Sequence, residues 1–249
     1  MDNALARVAA YLQATGTNRT RIGPFAAGFT PGNSNPMLNY AVPVTGAAPT
    51  RQDIQALIDA YEQRGLLPRL EYLPTTAPKV EPALAEAGFT VERRPAVMVC
   101  EATTPVPAPG GIELGLAQDR AAYARVAAVQ HDAYGEPAPP TEHDIDRMAR
   151  FVDNGGRVGV ARDGAETVAG AHLTATTEGV AELAAVAVAA THRRRGIAAA
   201  LSAHLTQLAL DTGADLVWLE PEGEAVARMY ARVGYRPAGA KLWLSRRPQ

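Results

Sequence analysis

The sequence has little cysteine, no long apolar run and no excess of positive charge, and each shortage excludes a class of protein. Cys100 is the only cysteine, so the chain has no internal disulfide and no cysteine-based metal site. No stretch of about 18 consecutive apolar residues is present, so nothing is typical of a membrane-spanning helix. The formal net charge is −2, without the basic excess that general nucleic-acid-binding domains carry.

What remains is the composition of a globular protein. Of the 249 residues, 47% are apolar and 20% are charged, which permits a sizeable core. This length suits two small domains better than one average domain. The first residues, MDNALARVAAYLQATG, predict an amphipathic helix and not a signal peptide, because the second residue is acidic and no long apolar segment follows. We therefore expect a cytoplasmic monomer or homodimer that binds neither membranes nor nucleic acid.

A segment rich in proline and glycine divides the chain. TTPVPAPGG, residues 103–111, cannot sustain a helix or a central strand, because proline lacks an amide proton and glycine is conformationally free. We interpret it as a linker between a domain over 1–102 and a domain over 112–249.

Strands and helices alternate in the C-terminal piece, in the order β-α-α-β-β-β-α-β-α-β. The predicted elements are 111–117, 119–135, 141–154, 156–164, 166–179, 180–190, a helix after Gly196, 214–220, a helix around 226–233 and 240–246. This order predicts a mixed α/β sheet and not a doubly wound parallel one.

The N-terminal piece repeats part of this pattern. It predicts a helix over 50–65, a strand over 67–74, a helix over 79–89 and a strand over 91–101. Thr50 caps the first helix, with Asp53 three residues later. Both pieces run helix, strand, short helix, a Gly-aromatic pair and strand. This indicates an internal duplication.

The stretch VAVAATHRRRGIAAAL, residues 186–201, carries the strongest chemical signal. A strand leads through three arginines and Gly196 into a helix, whose first N–H groups have no partner within the helix. The helix dipole adds about half a positive charge there, and arginine pairs well with phosphate oxygens. The pattern predicts a site for a phosphate group at this helix N-terminus, and the alternative is a solvated surface turn.

Two motifs in the C-terminal piece resemble those of the GNAT N-acetyltransferase family. RRRGIA matches the family signature R/Q-x-x-G-x-G/A, whose fixed places are here Arg193, Gly196 and Ala198. EAVARMYARVGYRP is similar to the last conserved helix of the family, with Tyr230, Gly234 and Tyr235 at its characteristic positions. The resemblance covers about residues 110–249. It implies a mixed, mostly antiparallel central sheet flanked by helices, and a tandem with a degenerate N-terminal half.

The resemblance also implies an acyl donor, acetyl-CoA or another acyl-CoA, and no metal. The pantetheine arm is expected in the V where strand 180–190 diverges from strand 214–220, with the pyrophosphate on the helix that follows Gly196. The donor-binding residues expected on this basis are Val186, Ala187, Val188, Arg193, Arg194, Arg195, Gly196, Ile197, Ala198 and Ala199. The family usually has an asparagine near position 223, where this chain has Gly223.

For the reaction we expect direct attack of an amine on the thioester within a ternary complex. Glu182 is the candidate general base, acting through water, and on a regular strand it shares a face with Val186 and Val188. A bulge in this strand, which the family often has, would break that alternation. The N–H of Val188 is expected to donate to the developing oxyanion. The resemblance assigns Tyr230 as the acid that protonates the leaving sulfur. The alternatives are that Glu182 is an ordinary arginine partner and that Tyr230 is a core residue.

Acceptor specificity is assigned less directly. His131, Asp132 and Tyr134 end the first helix of the C-terminal piece and are candidates, with solvated surface residues as the alternative, whereas His172 and His204 are interpreted as structural. The sequence thus predicts an N-acetyltransferase for a small-molecule or peptide amine, with a non-catalytic acyl-CoA-binding module as the alternative. Residues 1–102 are expected to lack a phosphate site and to pack on the catalytic domain.

Overall fold

The computed structural model describes residues 3–15, 19–136 and 138–247 and divides into two compact units. The N-terminal unit comprises Met1–Val97 together with Ala238–Gln249, and the C-terminal unit comprises Met98–Pro237. The division therefore lies a few residues before the predicted linker, and the last residues of the chain return to the first unit. Each unit contains its own sheet.

The elements follow in chain order. The strands are β1 (Arg19–Ile22), β2 (Phe25–Gly28), β3 (Ala41–Pro43), β4 (Arg69–Tyr72), β5 (Thr90–Arg93), β6 (Ala96–Cys100), β7 (Ile112–Leu116), β8 (Arg157–Asp163), β9 (Glu166–Leu173), β10 (Val180–Val188), β11 (Leu216–Leu219), β12 (Arg236–Ala240) and β13 (Leu242–Ser245). The helices are α1 (Asn3–Ala14), α2 (Arg51–Glu62), α3 (Val80–Glu86), α4 (Arg120–Tyr134), α5 (Glu142–Asp153), α6 (Ile197–Asp211) and α7 (Glu224–Val233). Across the described ranges, no helix has both the length and the apolar character needed to cross a bilayer.

The sheet of the N-terminal unit has the order β1-β2-β3-β4-β13-β5. Its strands are antiparallel except for β3 and β4, which run parallel with Ala41 opposite Leu70. A cluster of buried apolar side chains joins one face of this sheet to α2 and α3; it includes Phe25, Leu57, Tyr61, Leu70, Leu84, Leu242 and Leu244.

The sheet of the C-terminal unit has the order β12-β6-β11-β10-β9-β8-β7. Strands β10 and β11 are parallel, whereas the pairs β6–β11, β9–β10, β8–β9 and β7–β8 are antiparallel. Helices α6 and α7 cover one face, in a core that includes Ala171, Leu183, Leu201, Leu205, Val217 and Val233. On the other face α4 packs on β9 and β10 and α5 packs on β8. Val126, Met148, Val158 and Val160 belong to the apolar cluster on this side. The fold is therefore the predicted mixed α/β architecture with mostly antiparallel sheets.

The two sheets exchange strands between the halves of the sequence. Strand β6 comes from the first half and lies between β11 and β12, whereas β13, the last strand, lies between β4 and β5. The resulting orders, β3-β4-β13-β5 and β10-β11-β6-β12, are equivalent, as expected for a tandem arrangement. The strand predicted over 240–246 is present as β13, but it lies in the N-terminal sheet, where Leu244 pairs with Leu70.

Several local predictions also need adjustment. The strand predicted over 91–101 is two strands, β5 and β6, since Pro95 lies between them and cannot donate to a ladder. Strands β1 to β3 were not predicted, since they are only three or four residues long and have glycine and proline nearby. The N-terminal helix was predicted over 1–16, of which residues 1, 2 and 16 lie outside the described residues.

Candidate functional site

The parallel pair β10 and β11 separates partway along β10. Their register covers three residue pairs and ends where Glu182 faces Trp218. Strand β10 continues for six residues beyond that point, to Val188, whereas β11 ends at Leu219. The result is an open edge on the second half of β10, at the place where the sequence predicts a V between the strands.

A β-bulge interrupts β10 beside this opening. Ala184 lies opposite His172 and Ala187 lies opposite Gly170, so β10 has one residue more than β9 between these pairs. Ala185, inside the bulge, has φ of +52°, a left-handed conformation that is unfavourable for a residue with a side chain.

The bulge decides which side chains of β10 share a face. Glu182 and Val188 would share a face on a regular strand, but the extra residue shifts the alternation, and Val188 instead shares a face with Leu183. Val186 and Val188 accordingly pack against the core under α6. Glu182 faces the α4 side, with His172, because it stands two residues before Ala184 in the same regular segment.

The backbone of Val188 points away from β9. The N–H of Ala189 donates to the carbonyl of Val168 over 2.8 Å, so the pair Val188–Ala169 is of the non-hydrogen-bonded type. In such a pair both backbone polar groups are directed to the opposite edge, which here is the open one. This direction is what the predicted role of the Val188 N–H requires.

Helix α6 begins with an uncapped N-terminus. Gly196 is its N-cap residue with φ of +87°, a conformation that favours glycine, and no side chain caps the helix. The N–H groups of the first turn therefore lack the capping acceptor that a serine or aspartate would provide. Ile197 is buried beneath the turn and Ala199 is nearly so, whereas Gly196 itself is exposed.

The three arginines before Gly196 differ in their surroundings. Nε of Arg193 donates to the carbonyl oxygen of Val188 over 3.1 Å. Arg195 lies 3.4 Å from Oδ2 of Asp163, which is also 3.4 Å from Nε2 of His192. Arg194 is exposed and has φ of +63°. The turn thus combines an uncapped helix N-terminus with guanidinium groups, the features that anion sites share.

Glu182 stands at the vertex of the V. Its N–H donates to Oγ1 of Thr174 over 2.8 Å, and its carbonyl accepts from the Thr174 N–H over 2.9 Å. These two bonds extend the β9–β10 ladder by one residue and hold the main chain of Glu182 in place. The side chain is half-buried.

Tyr230 lies on α7 and is 5% exposed. It belongs to the same apolar cluster as Val186 and Val188, and its ring centroid is 5.6 Å from that of Tyr235 in an edge-on arrangement. Burial raises the pKa of the Tyr230 phenol to about 12, so the hydroxyl keeps its proton near neutral pH.

The end of α4 lies over this region. Gln130 donates through Nε2 to the carbonyl oxygen of Ala185 over 2.8 Å. Tyr134 is close enough to Glu222 and to Tyr230 for electrostatic interaction. Tyr134, one of the three acceptor candidates, therefore lies near Tyr230.

The other two acceptor candidates, His131 and Asp132, have different surroundings. Nδ1 of His131 is 3.0 Å from the carbonyl of Ala138, so one ring nitrogen contacts the following loop. Asp132 is exposed. His204 is exposed on α6, and His172 contacts Gln130 and Phe151.

Sequence reasoning missed Gln130, although a signal was present. Tyr123, Val126, Ala127 and Gln130 follow the spacing of one helix face, and all four are buried. A polar residue on an otherwise apolar face must find a partner in the interior.

Gly223 begins α7 with φ of +83° and supplies no side chain where the family usually has asparagine.

The corresponding helix N-terminus in the N-terminal unit is closed. Thr50 caps α2, and Oδ2 of Asp53 accepts from both the N–H and the hydroxyl of Thr50, over 2.8 and 2.7 Å. These hydrogen bonds lower the pKa of the Asp53 carboxyl. The chain's own carboxylate thus takes the place that an external anion occupies at an open helix end. Leu84, which stands where Tyr230 stands in the other half, is fully buried.

Within the described part of the chain, no group of three or more His, Cys, Asp or Glu side chains is arranged to hold a metal ion.

Comparison with known proteins gives a family similarity within the C-terminal unit. The sequence profile of the Acetyltransferase (GNAT) family matches residues 123–235. No curated protein matches the sequence at a significant level.

Solved structures extend the similarity to the whole chain. A GCN5-related N-acetyltransferase from Kribbella flavida has 25% sequence identity and a TM-score of 0.81, covering 100% of this chain and 98% of that one. A GCN5-related N-acetyltransferase from Sphaerobacter thermophilus has 17% identity and a TM-score of 0.64, covering 90% and 76%. A tandem GNAT protein from the clavulanic acid biosynthesis pathway has 14% identity and a TM-score of 0.63, covering 90% and 79%. The last two similarities concern the fold alone.

Proposed function

We propose that this chain, whose residues 123–235 match the GNAT acetyltransferase family, transfers an acetyl group from acetyl-CoA to a primary amine. The acceptor is a small molecule or a peptide, and another acyl-CoA is the alternative donor. The observation that carries the proposal is the uncapped N-terminus of α6 at Gly196, adjoining the open edge of β10.

The donor-binding residues fit a CoA thioester in both polarity and order. The N–H groups from Arg194 to Ala199 and the arginine side chains suit the pyrophosphate, since an uncapped helix end and guanidinium groups both favour anions. The open edge of β10, from Val186 to Val188, offers backbone hydrogen bonds to the amides of a pantetheine arm. The opposite half of the chain closes the equivalent helix end with Asp53, so we expect one donor per chain.

The reaction then requires one bond to form and one to break. The amine nitrogen attacks the thioester carbonyl carbon, the C–N bond forms, and the C–S bond breaks. The N–H of Val188 donates to the carbonyl oxygen, where negative charge develops during the attack. The products are an amide and the free thiol.

Two side chains transfer the protons of the reaction. Glu182 accepts the proton of the amine through a water molecule, from its position at the vertex of the V. The Tyr230 hydroxyl donates a proton to the leaving sulfur, and its raised pKa, about 12, keeps that proton available at neutral pH. The phenol then regains a proton from solvent or from the group that accepted the amine proton.

Calorimetry with CoA tests the binding step. Reversal of the charges of Arg194 and Arg195 to glutamate is expected to weaken CoA binding by about a hundredfold, since two favourable charges become two repulsive ones. The matched control reverses Arg228 and Arg232, which are exposed on α7, with the same change in net charge. Equal affinities for both double variants and the parent chain would overturn the phosphate assignment.

Thiol release from acetyl-CoA across a panel of amines tests the chemical step. We expect release that depends on the amine and a product heavier by one acetyl group. Tight CoA binding without release for amino acids, peptides, polyamines and aminoglycosides would instead support the non-catalytic acyl-CoA-binding module.

A further inference from the structure

We propose that Gln130 is a positioning residue that holds the bulge of β10 in the conformation that acyl transfer needs. For its effect on turnover this inference rests on the proposed function. Gln130 is on α4, outside the strand it acts on, and it is 5% exposed.

Both protons of the Gln130 amide have an acceptor. Nε2 donates to the carbonyl of Ala185 over 2.8 Å, and because a carbonyl only accepts, the nitrogen and not the oxygen of the amide faces it. The same nitrogen is 3.3 Å from Nε2 of His172. That imidazole is neutral, since its enclosure by protein lowers its pKa to about 4, and its unprotonated Nε2 accepts the second proton. The two bonds fix the orientation of the amide.

The bulge needs such a donor. Ala185 is held at φ of +52°, and the extra residue of a bulge leaves the regular hydrogen-bonded ladder. A carbonyl that leaves the ladder in a buried region is costly unless another donor reaches it. Gln130 is the donor that reaches the Ala185 carbonyl, and it thereby favours the bulged over the regular strand.

The bulge in turn decides where the backbone of Val188 points. Removing the extra residue would shift the alternation by one and turn the polar groups of Val188 from the open edge toward β9. The helix N-terminus at Gly196 does not depend on this alternation. Loss of the Gln130 contact is therefore expected to impair the alignment of the thioester more than the binding of the phosphates.

A substitution without a donor tests this. Gln130→Met keeps the length of the side chain, and Gln207→Met, at an exposed position on α6, is the matched control. For Gln130→Met we expect kcat with acetyl-CoA to fall by about tenfold or more, and the Kd for CoA to change by less than about threefold. The control is expected to leave both values unchanged. A kcat for Gln130→Met within twofold of the parent chain would overturn the proposal.

A second change separates positioning from general damage. Glycine adopts the conformation of Ala185 without steric cost, so adding Ala185→Gly to Gln130→Met is expected to recover at least a third of the lost kcat. If Gln130→Met acted by loosening the whole domain, an added glycine would not restore activity. The positioning role would be refuted if kcat did not recover in the double variant and if Gln130→Met and the double variant had equally lowered melting temperatures.

Hydrogen exchange gives a readout that does not depend on activity. Amides 183–189 are expected to exchange about tenfold faster in Gln130→Met, whereas those of α6 and those of Gln207→Met do not change. Were the parent chain inactive with every amine, the proposed function would fail, and this exchange result would still decide the role of Gln130. An unchanged exchange rate of amides 183–189 in Gln130→Met would contradict the positioning role of Gln130.

Discussion

Nε of Arg193 donates a hydrogen bond to the backbone carbonyl oxygen of Val188, over 3.1 Å. This bond ties the arginine turn to the end of β10, so the segment proposed to hold the phosphates and the segment proposed to hold the thioester are fixed to each other. It also distinguishes the arginines from one another, because Arg193 makes this bond to the main chain whereas Arg194 is exposed to solvent.

We therefore expect Arg193→Gln and Arg194→Gln to respond differently to salt. Loss of Arg193 removes a short-range bond, so its weakening of CoA binding is expected to persist when salt is raised from 0.1 to 1 M. Loss of Arg194 removes a long-range attraction, and its effect is expected to shrink, since the screening length falls from about 10 to about 3 Å. Calorimetry at the two salt concentrations measures this. Identical salt dependence in both variants would contradict the division of roles.

Gly196→Ala tests the opening of α6. The added side chain is strained at φ of +87° and is expected to cost about 1–2 kcal/mol of stability and to weaken CoA binding about tenfold. Gly213→Ala is the matched control at the other end of the same helix, with φ of +105° and open space around the position. It is expected to cost similar stability and to leave CoA binding unchanged. Equal weakening in both would mean that helix stability, not the shape of the turn, sets the affinity.

Tyr230→Phe separates proton donation from packing. Removal of the hydroxyl is expected to lower kcat by about 10²-fold, the lower range for a lost general acid, with little change in the Kd for CoA. Tyr235→Phe removes a buried hydroxyl that lies 2.7 Å from Oγ1 of Thr206, and it is expected to affect stability but not kcat. Steady-state kinetics and thermal melting of both variants decide the matter. An undiminished kcat for Tyr230→Phe would exclude the acid role.

His172 predicts a loss of stability in acid. Its pKa is lowered from 6.5 to about 4, because the ring is enclosed by protein and Arg147 adds repulsion. Between pH 6.5 and 4 the unfolded chain therefore binds the proton more readily, and the free energy of unfolding falls, by no more than about 2–3 kcal/mol. Above pH 6.5 this contribution is constant. Urea unfolding at several pH values measures this. Between pH 6.5 and 4 the free energy of unfolding is expected to fall less in His172→Gln than in the parent chain. The control His204→Gln, at an exposed position, is expected to show the same fall as the parent chain.

Leu244→Ala tests the exchanged strand. Although it is followed by only five residues of this sequence, Leu244 is 1% exposed and pairs with Leu70 in the middle of the N-terminal sheet. The substitution is expected to cost about 2–5 kcal/mol of stability, the usual range for a truncated core leucine. Leu38→Ala, at a position 37% exposed, is expected to cost well under that. A loss for Leu244→Ala below about 1 kcal/mol by urea unfolding would show that β13 is dispensable.

Local signals predicted much of this molecule. The capping residues Thr50 and Asp53 located the start of α2, because their contact lies within four residues of sequence. The Arg–Gly turn predicted the uncapped start of α6 for the same reason. Gln130, by contrast, showed only as a polar residue on an apolar face, and its partner Ala185 is 55 residues away.

The sequence by itself determined the element order, the arginine turn and the repeat of one pattern in both halves, since these follow from spacing, capping and composition over short stretches. Tertiary structure alone decided which sheet receives β6 and β13, because two similar halves present equivalent gaps and local pattern cannot distinguish them. It also decided the direction of Val188, since a single extra residue in β10 reverses every later side chain. Pairing partners distant in sequence set that register, and no short stretch of β10 contains them.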